Sequence, residues 1–248
     1  MKRALLWLAL GGVCLATSAC GAANALDPVA NAATKTAKAE SAHFHMDLTV
    51  GAFQITGDGV SDSATHSAQM SIDAGQYHAD VVLDGTKDVL YARIPALTSF
   101  LPSGRQWVSI DLQKAGQQAG LNVSQLFQQV GSQDPTQALQ MLESVGDVQK
   151  VGTAQVGGVD TTEYSAQIDL QKVVAKYPGT GLDRYAKLLG SKTIPVEVWI
   201  GGDGLVRKVH EQGTHYDLTF LFSDFGAPVT VTVPPADQVA DFSSLKGH

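Results

Sequence analysis

Alternation of hydrophobic and polar residues dominates the chain from about residue 43 onward. Phe44, Met46 and Leu48 alternate with polar neighbours, and the same period of two returns around Met70 and around Val81. Because successive side chains of a strand point to opposite faces, this period predicts half-buried strands of an antiparallel sheet. Strands are predicted in the first half around residues 43–48, 67–72, 77–83, 89–93 and 107–111.

The second half of the chain carries a similar set of alternating segments. Strands are predicted over residues 148–156, 159–170, 196–200, 205–211, 216–222 and 229–233, the last of which ends the sheet before two prolines. Glycine beside aspartate or another polar residue marks the turns, because glycine readily reaches φ above zero. Turns are predicted at residues 57–59, 73–75, 84–86 and 201–204.

Apolar residues recur at helical spacing in the segments outside these strands. Asp27 and Pro28 suit an N-cap and a first-turn proline, which predicts a helix from there to about residue 41. Leu126 and Phe127 belong to one short amphipathic helix in the middle of the chain, and Leu142 belongs to a second. A further helical stripe covers residues 182–189.

These elements predict an α+β domain built on one large antiparallel sheet of about ten strands. Strand twist accumulates in so wide a sheet, so we expect a curved half-barrel with helices covering its concave face. Alternation and helical spacing place one set of apolar side chains on the inside, either as a cavity lining or as a filled core. This set is Phe44, Met46, Leu48, Met70, Ile72, Val81, Leu126, Phe127, Leu142, Val198, Leu218, Phe220 and Phe222.

The first twenty residues follow a different pattern. Lys2 and Arg3 precede an apolar run over residues 4–16, which is typical of an export signal and too short for a stable membrane span. Small residues lead into Cys20, and cleavage before it would leave this cysteine at the mature N-terminus. Cys14 would leave with the signal, so no internal disulfide is expected.

Two fates of Cys20 fit this pattern. It resembles the bacterial lipobox, in which the thiol takes a diacylglycerol that anchors the protein to the outer face of the cell membrane, although Thr17 stands where leucine is usual. The alternative is an ordinary secretory signal and a secreted protein with a free thiol. We expect a signal peptide over residues 1–19, a lipidated N-terminus and flexible tether over 20–30, and a single domain over 31–248.

Charge argues against one class of partner. The chain of 248 residues has a formal charge of −7, and removal of the signal with its two cations makes this −9. An acidic protein gains nothing electrostatically from nucleic acid or from an anionic membrane surface. We therefore expect no nucleic-acid partner, and a membrane contact made through the lipid anchor rather than through charge.

Catalytic and metal-binding signatures do not emerge from the sequence. No Gly-x-Ser-x-Gly elbow is present, and the glycines at 201–204 fit a hairpin better than a phosphate-binding loop. His43 and His45 share one strand face, a spacing that metal sites use, but they alternate with the apolar face and are expected on the solvated one. We expect no catalytic residue, no metal and no cofactor.

Several short motifs, in the order of the elements above, resemble one known family. They are the lipobox-like start, Ser41-Ala42-His43-Phe44, Val89-Leu90-Tyr91-Ala92, Gln106-Trp107-Val108, Asp134-Pro135 and Gly157-Gly158-Val159-Asp160-Thr161-Thr162-Glu163-Tyr164. The chain resembles the actinobacterial LppX/LprG-like lipoproteins of the LolA-like (lipoprotein carrier) fold group. The resemblance implies a half-barrel closed by helices, whose cavity in relatives holds acyl chains of envelope lipids or lipoproteins.

Two functions follow from these alternatives. In the first, the protein is a membrane-anchored extracytoplasmic lipoprotein that binds acyl chains of a lipid or lipidated molecule in a hydrophobic cavity, for transport or chaperoning in the cell envelope. In the second, its own side chains fill the core, and it is a structural or sensory module with a protein partner that the sequence does not identify. The size of the cavity separates the two.

Overall fold

The computed structural model describes residues 23–102, 104–120, 148–176, 178–189 and 191–245. Their strands form a single sheet of twelve. The strands are β1 (Ser41–Val50), β2 (Phe53–Asp62), β3 (Ser67–Ala74), β4 (Tyr77–Asp84), β5 (Val89–Arg93), β6 (Trp107–Asp111), β7 (Gln149–Val156), β8 (Val159–Asp169), β9 (Thr193–Gly201), β10 (Val206–Gln212), β11 (Tyr216–Ser223) and β12 (Val239–Asp241).

Two antiparallel meanders make up this sheet. Strands β1 to β6 pair in chain order, strands β7 to β11 do the same, and β1 pairs with β11 to join the halves. Strand β12 adds to the outer edge of β6 and forms the one parallel pair of the sheet. The prediction of an α+β fold with a large, mostly antiparallel sheet is confirmed, with twelve strands rather than about ten.

Helices occupy little of the described chain. They are α1 (Ala23–Ala37), α2 (Leu112–Ala119), α3 (Leu170–Lys176), α4 (Leu182–Leu189) and α5 (Phe242–Leu245), with 3-10 helices at Pro95–Phe100 and Ala236–Gln238. The predicted helix at 182–189 is confirmed as α4. The two predicted helices that contain Leu126, Phe127 and Leu142 lie outside the described residues, so helical cover of the concave face stays a prediction.

The start of α1 corrects the predicted boundary. The helix begins at Ala23 and ends at Ala37, with Pro28 inside it, rather than beginning at Asp27. The alanine-rich residues ahead of Pro28 favour helix strongly enough to extend it by a turn. Most of the segment expected as a flexible tether is therefore helical, and Val29 and Ala30 are buried in the fold.

Register across the sheet aligns the apolar side chains in a row. From β11 to β6, the directly opposed residues are Phe222, Phe44, Gly59, Met70, Val81, Ala92 and Val108. Because opposed residues of paired strands share a face, this row continues over seven neighbouring strands without changing sides. The period-two pattern of the sequence therefore describes one continuous apolar face.

The residues predicted to form a turn at 57–59 lie instead in the middle of β2. A side-chain carbon on Gly59 would come within 2.5 Å of Phe44 Cζ, and one on Gly57 would come within 2.9 Å of Met70 Sδ. The two glycines thus admit large side chains from β1 and β3. The actual turn between β1 and β2 lies at Gly51, where φ is +60°.

The predicted strand at 229–233 is also wrong. Those residues belong to an extended C-terminal strap (residues 224–238) that joins β11 to β12 and does not pair as a strand. Thr232 N donates to Gln69 Oε1 at 3.2 Å, and Gly226 N donates to Ser41 O at 2.9 Å. Because Gln69 points away from the face of Met70, the strap crosses the other side of the sheet.

Half-buried residues alternate with exposed ones along the strap. Val229 and Val231 are half-buried, whereas Thr230 and Thr232 are exposed. On the same side of the sheet Val82, directly opposite Gln69, is only 1% exposed. The strap packs every second side chain against the sheet, so its sequence has the same period of two as a strand that pairs with the sheet.

Candidate ligand-binding face

We define the apolar face as the side of the sheet that carries Phe44 and Met70. Alternation and register place ten of the predicted lining residues on it, all buried or half-buried. They are Phe44, Met46, Leu48, Met70, Ile72, Val81, Val198, Leu218, Phe220 and Phe222. Leu126, Phe127 and Leu142 lie outside the described residues. That any of these residues lines a ligand cavity stays a prediction.

Helix α1 covers one part of the apolar face. Val29 and Ala32 pack with Ile200, Val206 and Val148 in a buried core. Partly buried residues of β8 to β11 pack against this core, namely Tyr164, Ala166, Val198, Val209 and Phe222. The Thr36 hydroxyl accepts a hydrogen bond from Val206 N at 2.9 Å, which ties the end of α1 to β10.

An aromatic cluster lies next to this core, where the two meanders meet. The rings of Phe220 and Phe222 stack with centroids 6.1 Å apart, and Phe44 meets Phe220 edge-on at 6.4 Å. These geometries are the favourable ones for aromatic pairs. The cluster packs the junction of β1 and β11 on the apolar face.

Away from α1, the apolar face carries large hydrophobic residues that reach solvent. Val50, Phe53 and Tyr77 are exposed at one end of the strands, and Phe53 is exposed to 76%. Leu97, Phe100 and Phe242 are exposed near β5 and β6, and Phe100 reaches 78%. Clustered exposed apolar residues of this kind mark a surface that takes a ligand or partner.

A cavity of about 420 Å³ opens on the apolar face beside β5 and β6. Ala92, Val108 and Ile110 line its floor. Its walls come from the 3-10 helix at Pro95–Phe100, from residues that join this helix to β5 and β6, and from α5. The wall residues are Ile94, Leu97, Phe100, Leu101, Gln106, Phe242 and Leu245. Its volume falls in the range of small-molecule sites, and Gln106 is the sole polar residue among the lining side chains.

Sequence reasoning missed this cavity. Its floor residues belong to strands that were predicted, but its walls come from segments outside the strands and from a helix near the C-terminus. The signal available was the run Ile94 to Leu101, where four large apolar residues occupy a loop between two strands. These residues do have helical spacing, but the run is short and a proline lies near each of its ends, so periodicity alone could not place it against one face of the sheet.

One charged residue interrupts the apolar face. Glu211 in β10 lies directly between Val196 of β9 and Leu218 of β11. Burial raises the pKa of Glu211, and this outweighs the hydrogen bond to Tyr216 and the nearby His210, both of which lower it. Burial and the adjacent Glu211 also raise the pKa of Tyr216.

Histidine–carboxylate pairs link neighbouring strands on the opposite, polar face. His45 lies directly across from Asp58, with Nδ1 and Oδ1 2.7 Å apart, and His78 lies across from Asp73 at 2.8 Å. In the second meander, His210 lies across from Glu197 of β9 at 2.9 Å. The expectation that His43 and His45 lie on the solvated face agrees with their partial exposure.

Additional carboxylates surround these histidines. Asp47 lies 3.3 Å from His45, Asp80 lies 3.4 Å from His78, and Asp217 of β11 lies 3.2 Å from His210. The hydrogen bond with Asp58 is the main cause that raises the pKa of His45, that with Asp73 raises the pKa of His78, and that with Glu197 raises the pKa of His210. Burial opposes each increase without cancelling it.

These pairs predict a stability that falls as the pH rises. A histidine with a raised pKa in the folded state stabilises the fold fully below its unfolded pKa of about 6.5, and this stabilisation is lost as the pH rises through the folded value. We expect the melting temperature to fall between pH 6 and pH 8. His210→Gln should flatten this dependence most, by less than about 1 kcal/mol, because His210 is the least exposed of the three.

Thermal unfolding monitored by circular dichroism at several pH values measures this effect. His215→Gln is the control, because His215 forms no ion pair within the described segments. A pH dependence that is equal in both variants would contradict the assignment to His210.

A second cavity lies at the junction of β1 and β11, and residues of both faces contribute to its lining. It measures about 530 Å³, and its lining includes His43, His45, Asp58, Arg207 and Asp224. Arg207 stacks over the Phe225 ring at 4.9 Å and bonds Asp203, but its buried Nε has no hydrogen-bond partner. Acidic and basic groups are mixed in this lining, so the cavity has no single charge that would select a ligand.

The parts of the chain that the structure describes contain no group of three or more histidine, cysteine or acidic side chains placed to hold a metal ion. Among the same residues, no helix combines the length and the apolar character that a membrane span requires.

Comparison with solved structures identifies the fold. The lipoprotein LppX of Mycobacterium tuberculosis superposes with a TM-score of 0.59 at 16% identity, covering 85% of this chain and 99% of LppX. The fold is that of the LppX-like lipoproteins. LprF of Mycobacterium bovis superposes with a TM-score of 0.51 at 15% identity, covering 86% of this chain and 98% of LprF. The predicted resemblance to LppX/LprG-like lipoproteins is therefore confirmed.

Sequence comparison finds relatives in Streptomyces. An uncharacterised 31.2 kDa protein of Streptomyces griseus is 27% identical over 169 residues, and a Streptomyces coelicolor protein named as a candidate lipoprotein is 28% identical over 165. Each match covers 64% of this chain but only 55% and 50% of the respective relative, so the chain spans about half the length of the curated relatives it matches. No protein-family profile matches the chain.

Proposed function

We propose that the protein is a membrane-anchored extracytoplasmic lipoprotein that binds the acyl chains of a lipid or lipidated molecule on its apolar face, for transport or chaperoning in the cell envelope. The observation that carries this proposal is the cavity of 420 Å³ beside β5 and β6, together with the exposed apolar residues around it. An LppX-like fold, shared with two lipoproteins, supports it. Catalysis is not part of the proposal.

Burial of apolar surface would supply the affinity. The cavity lining is aliphatic and aromatic apart from Gln106, so it offers dispersion contacts and few hydrogen bonds. Each methylene buried from water contributes about 0.8 kcal/mol, and a chain of ten methylenes would gain about 8 kcal/mol before the entropic cost of ordering it. Acyl chains are the biological ligands that this type of lining suits.

The alternative of a filled core has one supporting observation. Val29 and Ala32 of α1 do fill the region beside β9 and β10, so that part of the apolar face is core. Beside β5 and β6, however, the 3-10 helix has no buried residue, and Phe100 and Phe242 reach solvent. A structural or sensory module would leave the cavity there without a ligand.

Native mass spectrometry tests the proposal. The mature chain carrying Cys20→Ser cannot be acylated, so any lipid mass found on it is bound noncovalently. We expect a stoichiometric lipid after purification without detergent from a related actinobacterium, released by organic extraction. A bare protein mass that does not change after incubation with envelope lipids would overturn the acyl-chain proposal in favour of the interaction module.

The anchor is a separate part of the proposal. We propose that Cys20 carries the lipid, because it is the cysteine left after signal removal. Two or three acyl chains anchor a protein stably, whereas a single chain gives only reversible binding. The mass of the N-terminal peptide measures this directly: added acyl mass supports the anchor, and a free thiol at residue 20 would favour the secreted alternative.

A further inference from the structure

Glu211 is out of place on the apolar face. Along strands β9 to β11 and β1 to β6, all of which the structure describes, the residues of this face are otherwise uncharged. Its row across the sheet runs Ala166, Val196, Glu211, Leu218 and Leu48. A carboxylate between aliphatic neighbours loses hydration, and this lowers the stability of the fold. A ligand that donates hydrogen bonds to the carboxylate would offset this loss of hydration.

Tyr216 adds a second polar group at the same place. Its ring lies against the backbone of Gly213 in the β10–β11 turn, and its hydroxyl is near enough to Glu211 for the carboxylate to contribute to the raised pKa of Tyr216. Tyr216 is directly opposite Val50, one of the exposed apolar residues at this end of the strands. The pair therefore stands where the apolar face meets solvent, the position suited to the polar end of an amphiphile.

We propose that Glu211 and Tyr216 bind the headgroup of an amphiphile whose polar end is uncharged and carries hydroxyl groups, while the aliphatic residues beside them on the apolar face take its acyl chains. This place, at Glu211 of β10, is six to seven strands from the cavity at β5 and β6. This inference rests on the proposed function. A carboxylate accepts hydrogen bonds from hydroxyl groups, and a phenol can both donate and accept. A phosphate headgroup would meet a like charge here, with no lysine or arginine on the apolar face of β9 to β11 or β1 to β6 to balance it.

Two lipids with identical chains isolate the headgroup. Dioctanoylglycerol has a free hydroxyl, and dioctanoyl phosphatidate has a phosphate in its place. We expect the mature chain carrying Cys20→Ser to bind the glycerolipid at least about 10-fold more tightly, because a like charge in a partly buried site costs several-fold to hundred-fold in affinity. Isothermal titration calorimetry or native mass spectrometry gives the dissociation constants of both lipids.

Variants of Glu211 test whether this residue causes the preference for dioctanoylglycerol over dioctanoyl phosphatidate. Glu211→Gln keeps the size and hydrogen-bonding capacity but removes the charge, so it should reduce the preference to about threefold or less, mainly by improving phosphatidate binding. Glu163→Gln is the matched control, because Glu163 lies on the polar face, opposite Trp199, and its substitution changes the net charge equally. Glu211→Leu is a second variant, expected to fold because it restores an aliphatic row.

The outcomes separate this inference from the function on which it rests. If neither lipid binds the Cys20→Ser chain, the acyl-chain proposal fails. If both bind it within about twofold of each other, or if Glu211→Gln leaves the preference unchanged, the acyl-chain proposal stands and the headgroup assignment is overturned. A preference lost in Glu211→Gln and retained in Glu163→Gln supports the assignment.

Discussion

Replacing Val108 by aspartate should reduce acyl-chain binding by about 100-fold or more. Val108 lies on the cavity floor, directly between Ala92 of β5 and Ala240 of β12. A carboxylate at this position has to lose its hydration when an acyl chain fills the cavity, at a cost of several kcal/mol, and every 1.4 kcal/mol lowers affinity tenfold. Titration of a fluorescent fatty acid into the mature Cys20→Ser chain measures the loss.

The adjacent residue provides the control for this substitution. Ser109→Asp adds the same charge to the same strand on the opposite face, and should leave binding within about twofold of the parent chain. Because Val108→Asp could also destabilise β6, Phe100→Asp serves as a second variant: Phe100 is 78% exposed, so its substitution leaves the fold intact. Unchanged binding in both Val108→Asp and Phe100→Asp would show that the acyl chain does not occupy this cavity.

The same alternation that identified the strands also identified the face. Phe44, Met70, Val81 and Phe222 were assigned to one side from the sequence alone, and their register in the sheet places them in one row. This works because the period of a strand is two wherever it lies in a sheet. The identity of neighbouring strands is not encoded in that period, so the pairing of β1 with β11 could not be read in advance.

Two local predictions failed because the same pattern has more than one physical cause. Glycine beside aspartate at 57–59 has the composition of a turn, but here glycine makes room for side chains from neighbouring strands. Alternating valines at 229–233 have the period of a strand, but here they pack on a sheet face without a ladder. Both causes involve residues distant in sequence, which local reasoning does not include.

The candidate site also has features that the sequence predicts and features that it does not. The floor of the cavity belongs to predicted strands, whereas its walls at Leu97, Phe100 and Phe242 depend on how two short helices fold back onto β5 and β6. Glu211 falls in a predicted strand, but its exceptional character becomes visible only when Val196 and Leu218 are known to flank it. Sequence patterning thus identifies the surface, and tertiary structure identifies the places on it where a ligand can be held.

Gly59 is a position at which one added methyl group should have a large effect on folding. A methyl group there would lie 2.5 Å from Phe44 Cζ and 2.5 Å from the backbone oxygen of Gln69. The Phe44 ring can rotate away only by leaving its edge-on contact with Phe220, and the Gln69 carbonyl is fixed in the ladder between β2 and β3. We expect Gly59→Ala to lower the free energy of unfolding by about 2–3 kcal/mol, the range of overpacked cores.

Gly152 in β7 offers a matched comparison, because it is also a strand glycine but has no atom within 4 Å of an added side-chain carbon. Gly152→Ala should be neutral or stabilise by up to about 1 kcal/mol, since alanine loses less conformational entropy on folding. Urea unfolding followed by circular dichroism measures both variants. Equal effects at the two positions would mean that the Phe44 ring does not occupy the space above Gly59, and the row of apolar side chains from Phe222 to Val108 would then need a different packing at its centre.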